Sequence, residues 1–165
     1  MQKSYAAITN ALVQLDPDNA EQYRTNSNIY IGELGALNAE YEAVVSAAAV
    51  RTLLFADRFP FIYLMHDYDL SYYAAFSGCN AETEASFATM AFLIEKVNEL
   101  ELTSIMVTES SDQSIARTIA RDSNENPQIL VLDSMQSITS GDIQNGVSYL
   151  SIMENNLDVL REALK

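Results

Sequence analysis

A carboxylate follows three of the short apolar runs in this chain, at Asp57, Glu109 and Asp133. If these runs are neighbouring parallel strands, their carboxyl ends form the edge of the sheet at which ligands bind. Carboxylates that share one edge repel each other unless a cation, a hydrogen bond or a helix cap offsets the charge. One interpretation of the pattern is therefore a metal or other cationic site built from Asp57, Glu109 and Asp133.

A second interpretation of the same edge assigns the polar residues to helix capping. Asp133, Ser110 and Asp112 each precede a segment with helical periodicity, and Asp and Ser are favoured at the N-terminal caps of helices. The residue pattern taken by itself favours this interpretation over a metal site.

The chain contains one His and one Cys, so a zinc site made only of its own Cys and His residues is excluded. His66 stands beside Asp67, an arrangement more typical of a surface ion pair than of a ligand. Cys79 follows the second apolar run, and a free Cys behaves mostly as a small hydrophobic side chain.

No common catalytic or nucleotide-binding motif occurs in the chain, and catalysis is not expected. A Ser/His/Asp triad would depend on His66 and would lack a nucleophile elbow. A phosphate-accepting receiver domain would need a Lys after the last strand. The lysines, at positions 3, 96 and 165, are not placed there.

The composition indicates a folded, acidic protein with one domain, or one domain and a helical arm. Of its 165 residues, 48% are hydrophobic and 19% charged, and the net charge is −14. Such a field repels phosphate backbones and anionic lipid, so we expect neither nucleic-acid binding nor docking to a membrane surface. Cations are the natural small partners of this surface. No apolar run approaches the roughly 20 residues of a membrane-spanning helix.

The first third of the chain has helical periodicity. Ile8, Leu12 and Leu15 recur at helical spacing, and Asp16-Pro17 ends that segment and starts another. An apolar stripe from residue 23 to residue 45 then predicts a helix of about 30 residues.

After Arg51, short apolar runs alternate with helical segments. The predicted strands are Thr52–Ala56, Ser71–Phe76, Thr103–Thr108 and Gln128–Leu132. The predicted helices are Pro60–Asp69, Glu84–Leu100, Asp112–Asp122 and Gly146–Leu164. This alternation predicts an α/β fold, a four-stranded parallel sheet with helices on both faces. The expected domains are a helical arm over residues 1–50 and an α/β lobe over residues 51–165.

Five segments, in their order and spacing, resemble a known family. They are Leu15–Asn26, Asp57–Phe61, Tyr72–Phe76, Ala81–Glu84 and Ser148–Leu157. Together they are similar to the C-terminal lobe of metal-binding (zinc or manganese) solute-binding proteins of ABC importers, and most of all to zinc-uptake receptors. In that family the arm corresponds to the end of the inter-lobe backbone helix and the long helix after it.

The resemblance implies which residues bind metal. The family's second lobe supplies a His directly after its first strand, and Ala56 occupies that position here, followed by Asp57. The second ligand of this lobe, after the last strand, is matched by Asp133. Glu109 falls where the family often has an acidic residue.

The resemblance also implies a function and a location. We expect an extracytoplasmic receptor lobe, on a cell-surface lipoprotein or in a periplasm, that captures zinc or manganese for an ABC permease. Its first lobe, which carries the remaining ligands, and a signal peptide are both missing from this sequence, so the isolated lobe is expected to bind metal weakly. The alternative is an intracellular flavodoxin-like domain with a regulatory or enzyme-subunit role.

Overall fold

The computed structural model describes residues 2–76 and 85–165, without the side chains of residues 2 and 3. Cys79 and the turn predicted around it lie outside the described residues. No helix within the described residues is both long and apolar enough to cross a bilayer.

The chain divides into two compact units, residues 1–41 and residues 42–165. The predicted boundary between arm and lobe, at residue 50, stays a prediction. In the first unit, α1 spans Gln2–Leu15, and a short 3-10 turn spans Pro17–Asn19. The following helix, α2, spans Ala20–Ala47 and continues into the second unit. Its 28 residues confirm the predicted long helix.

Within the first unit, a tyrosine pair and one carboxylate connect α1, the turn and α2. The rings of Tyr5 and Tyr30 meet edge to face, with their centroids 5.2 Å apart. The Asp16 carboxylate accepts hydrogen bonds from the side-chain amide of Asn19 at 2.8 Å and from the Tyr23 hydroxyl at 2.7 Å. Pro17 begins the 3-10 turn rather than α2 itself, where its missing N–H has no helical partner to lose.

The second unit alternates strands and helices as predicted. Its strands are β1 Thr52–Phe55, β2 Ser71–Ala74, β3 Ser104–Thr108 and β4 Gln128–Leu132. Its helices are α3 Ile62–Asp67, α4 Phe87–Glu99, α5 Ser114–Asp122, α6 Ser140–Gln144 and α7 Tyr149–Ala163.

The four strands form one parallel sheet in the order β2-β1-β3-β4. Phe55 of β1 is in register with Met106 of β3, and β3 pairs with β4 along its whole length. Because all strands run in the same direction, their carboxyl ends lie on one edge, which confirms the predicted topology.

The core lies on both faces of the sheet, because successive strand residues point to opposite sides. One face packs against α4 and α5 through a buried cluster of apolar residues: Leu54, Ala56, Leu93, Val97, Leu102, Ile105, Val107, Ala116, Ile119 and Ala120. On the other face, the Phe55 ring contacts Phe59 and Phe61, at centroid distances of 4.9 and 5.5 Å.

The five-residue helix α6 is the one described helix that the periodicity did not predict. It buries no residue, so it has no apolar stripe to detect. A capping box starts it, in which Thr139 and Asp142 bond each other's backbone N–H groups.

Candidate metal site at the sheet edge

Asp57, directly after β1, is tied to the end of β3. Its Oδ2 accepts a hydrogen bond from the Thr108 hydroxyl at 2.5 Å and another from the Thr108 backbone N–H at 3.2 Å. Thr108 is only 5% exposed, and Asp57 is partly buried. Oδ1 of Asp57 accepts no hydrogen bond from the described residues.

Glu109, directly after β3, holds the segment that follows β4. Its Oε2 accepts a hydrogen bond from the Ser134 N–H at 2.8 Å. Its Oε1 accepts three, from the hydroxyls of Ser134 and Ser137 at 2.9 and 3.1 Å and from the Gln136 N–H at 3.3 Å. Burial raises the pKa of this carboxyl, but the hydrogen bonds from Ser134 and Ser137 outweigh burial and lower the pKa below its ordinary value.

Asp133, directly after β4, is held by α7. The Asn156 side chain accepts from the Asp133 N–H and donates to the Asp133 carbonyl, each at 2.8 Å. Oδ1 of Asp133 accepts from the Met135 N–H at 2.7 Å. Among the described residues nothing donates to Oδ2. Asp133 therefore has a fixed backbone and one available carboxylate oxygen.

Two cavities open at this edge, and each contains one of the predicted ligands. Asp57 lines a cavity of about 430 Å³ together with Arg58, Ser110 and Asp112. Asp133 lines a smaller one, of about 180 Å³, together with Phe61 and Met153. No three His, Cys, Asp or Glu side chains in residues 2–76 and 85–165 lie close enough together to hold a metal ion. Ligation by Asp57, Glu109 and Asp133 stays a prediction.

The helix caps predicted at Asp112 and Asp133 differ from those in the structure. Asp112 accepts from the N–H of Ser114, the first residue of α5, but the N-cap residue of α5 is Gln113, so the capping prediction for Asp112 is wrong. The capping prediction for Asp133 is also wrong, because Thr139 caps α6, the helix that follows β4.

The His66 side chain is 88% exposed and lies 3.8 Å from the Asp67 carboxylate, as expected of a surface pair. Ala56 is 2% exposed and its methyl group offers no ligand atom.

Sequence reasoning missed two residues that organise this edge, Thr108 and Asn156. Asn156 is 2% exposed and lies on the buried face of α7, four residues after Ile152 and four before Leu160. A polar residue on an apolar helix face needs a partner, and that signal could have identified Asn156. Thr108 is the last residue of β3, whose other residues are all buried too. Nothing in its local sequence identifies Asp57 as its partner.

The comparison with protein families decides between the two overall interpretations of the sequence. The family model described as zinc-uptake complex component A, periplasmic, matches residues 1–163. The chain belongs to this family. The resemblance inferred from the five segments is confirmed.

Two curated members of the zinc-uptake family show how much of a relative this chain spans. It is 32% identical to the zinc-binding lipoprotein AdcA of Streptococcus pneumoniae over 146 residues, which are 88% of this chain and 28% of that protein. It is 29% identical to the high-affinity zinc uptake system protein ZnuA of Bacillus subtilis over 163 residues, 99% of this chain and 50% of that protein. The chain thus spans half or less of these relatives.

Solved structures of the family share the fold. The metal-dependent lipoprotein YcdH of Bacillus subtilis superposes with a TM-score of 0.83 at 29% identity, over 99% of this chain and 61% of that one. The Zn(II)-bound ZnuA-like domain of Streptococcus pneumoniae AdcA gives a TM-score of 0.74 at 30% identity, over 95% and 57%.

Proposed function

We propose that this chain is the C-terminal lobe of an extracytoplasmic solute-binding protein that captures zinc, or manganese, for an ABC importer. The observation that carries the proposal is the placement of Asp133. The resemblance matches it to a ligand position of the family. It lies at the carboxyl edge of the sheet, its backbone is fixed by Asn156, and one of its carboxylate oxygens has no donor among the described residues. The names of the relatives, a zinc-binding lipoprotein and a zinc uptake protein, support zinc as the cargo.

Asp133 and Asp57 are the ligands we propose for this lobe. Each uses one carboxylate oxygen in hydrogen bonds within the protein, while the other oxygen has no donor among residues 2–76 and 85–165. Glu109 is the third predicted ligand, but both of its oxygens already accept hydrogen bonds from residues 134–137. A metal would compete with those donors for the Glu109 carboxylate, which supports a different role for Glu109, argued below.

Two carboxylates bind a hard cation weakly, whereas high affinity for zinc requires His or Cys ligands. Since Ala56 replaces the family's His, the nitrogen ligands would come from the family's other lobe, which this sequence does not include. We therefore expect the chain alone to bind zinc weakly, and a two-lobed receptor to complete the site.

The proposed role is binding and delivery without a chemical step. The receptor would lie outside the cytoplasm, on the cell surface or in a periplasm, and would pass the ion to a permease. The alternative, an intracellular flavodoxin-like domain, is not favoured, because the matched family and relatives are zinc-uptake proteins.

A titration of zinc into the chain, followed by the NMR signals of residues 133–135, tests this function. We expect weak but saturable binding that Asp133→Ala weakens by roughly tenfold or more, because a ligand is lost. Asp18→Ala, which removes an exposed carboxylate in the first unit, is the matched control and should bind as the unmodified chain does. Unchanged affinity in Asp133→Ala would refute the assignment.

A further inference from the structure

We propose that Glu109 and Asn156 are positioning residues that clamp the segment 133–137, here called the Asp133 loop, so that Asp133 presents its available oxygen to the metal. The inference rests on the proposed function, and it assigns Glu109 to positioning rather than to ligation. The two clamping residues come from different elements, the end of β3 and the middle of α7, and hold the loop from opposite ends.

Asn156 fixes the start of the loop through both of its side-chain polar atoms. Oδ1 accepts from the Asp133 N–H and Nδ2 donates to the Asp133 carbonyl, so the amide pairs with the backbone much as a neighbouring strand would. At 2% exposure, Asn156 has little water to bond instead. This pairing holds the backbone of Asp133 but leaves its carboxylate unused.

Glu109 fixes the rest of the loop through four donors. The N–H groups of Ser134 and Gln136 and the hydroxyls of Ser134 and Ser137 all converge on its two oxygens. Hydrogen bonds to an ionised acceptor are stronger than those between neutral groups. Both oxygens of Glu109 thus accept hydrogen bonds from this one segment, and this is the reason to assign Glu109 to the loop.

The backbone between the two clamps shows why the loop needs them. Met135 has a φ of 61°, a left-handed conformation that a residue other than glycine keeps only when its surroundings hold it. The Met135 N–H donates to Oδ1 of Asp133, which turns the carboxylate and leaves Oδ2 as the available atom. Outer-shell partners of this kind typically change metal affinity by about 10- to 100-fold.

The test compares Glu109→Gln and Asn156→Asp with two controls that change the same group at exposed sites, Glu125→Gln and Asn155→Asp. Hydrogen exchange of single amides and zinc affinity are measured on each variant of the full chain. In Glu109→Gln, we expect the Ser134 and Gln136 amides to exchange roughly tenfold faster, because they lose a charged acceptor. We expect zinc affinity to fall by about tenfold while some binding remains. Both controls should match the unmodified chain.

The outcomes separate the clamp from its rivals. If the Ser134 and Gln136 amides of Glu109→Gln exchange at the same rate as in the unmodified chain, the clamp is overturned, whether or not zinc affinity changes. If these amides exchange faster but zinc affinity is unchanged, Glu109 only stabilises the loop and does not position Asp133 for the metal. A loss of binding as large as in Asp133→Ala shows that Glu109 is itself a ligand. If Asp133→Ala binds zinc normally, the proposed function fails first, and the positioning of a metal ligand fails with it. If Asn156→Asp does not fold, Glu109→Gln alone decides.

Discussion

At the scale of single residues, the carboxyl edge of the sheet consists of acidic groups whose charges are matched by hydrogen-bond donors. Thr108 donates to Asp57, and residues 134–137 donate to Glu109. The hydrogen bonds to Glu109 favour its ionised form, because they lower its pKa below the ordinary value. Hydrogen-bond donors of the protein thus hold the acidic side chains of this edge.

Glu109 should make stability depend on pH in a defined direction. Its folded-state pKa lies below its ordinary value of 4.5, because hydrogen bonds outweigh burial. A carboxyl whose pKa is lower in the folded state stabilises the fold at pH values above its unfolded-state pKa. This stabilisation is lost as the pH falls through the folded-state pKa. Glu109→Gln should therefore be less stable than the unmodified chain at pH 7, and the difference should shrink below about pH 4.5.

Urea unfolding of both proteins between pH 7 and pH 3 measures this difference. Glu125→Gln, an exposed site, serves as the control and should follow the unmodified chain. A difference that stays constant down to pH 3 would show that ionisation of Glu109 contributes nothing.

At the scale of elements, the start of a helix depends on capping side chains that lie within a few residues of it in the sequence. The Ser148 hydroxyl accepts from the Ser151 N–H at 3.1 Å, and the Ser151 hydroxyl accepts from the Ser148 N–H at 3.0 Å, which forms a capping box at the start of α7. Ser86 caps α4 without a return bond to its own N–H, by accepting from the Thr89 N–H at 3.1 Å. Since α7 also carries Asn156, its start determines where that side chain meets the Asp133 loop.

Removing the cap of α7 should cost measurable stability. We expect Ser148→Ala to lower the free energy of unfolding by about 1 kcal/mol, because backbone N–H groups of the first turn lose their acceptor. Ser148→Asp keeps an acceptor at the cap and should retain most of the stability. Equal stability of the Ala and unmodified proteins, by urea unfolding, would contradict this role of the cap.

At the scale of the whole molecule, the main electrostatic feature is the net charge of −14. The chain has 23 acidic and 9 basic residues, and several of the basic ones pair with nearby acids on the same helix, as Lys96 does with Glu99 and Arg161 with Asp158. The remaining acidic groups repel each other across the surface, which opposes compaction at low ionic strength.

Added salt should therefore stabilise the protein. Raising sodium chloride from about 10 mM to 150 mM shortens the screening length from about 30 to 8 Å and weakens the repulsion between distant carboxylates. We expect the urea midpoint to rise, with potassium chloride giving the same result because the effect is screening. A midpoint that falls would show that exposed ion pairs, which salt also weakens, outweigh the repulsion.

The sequence by itself determined the parallel sheet, the family and the order of the elements apart from the short helix α6. Short apolar runs indicate buried strands and apolar stripes of period 3.6 indicate the buried face of a helix, and that information is local. The strand Gln128–Leu132 was predicted with its observed bounds for this reason. Asp57, Glu109 and Asp133 could be placed on one edge because parallel strands share their direction.

Only the tertiary structure decided what each carboxylate contacts. The bond from Thr108 to Asp57 joins residues 51 positions apart, and Asn156 and Asp133 are 23 apart. Such pairs form because strand order and helix packing bring distant segments within hydrogen-bonding distance. The periodicity of the sequence does not predict these contacts. Local patterns thus located the acidic edge, while long-range packing distinguished the two carboxylates with an available oxygen from Glu109, which holds the loop.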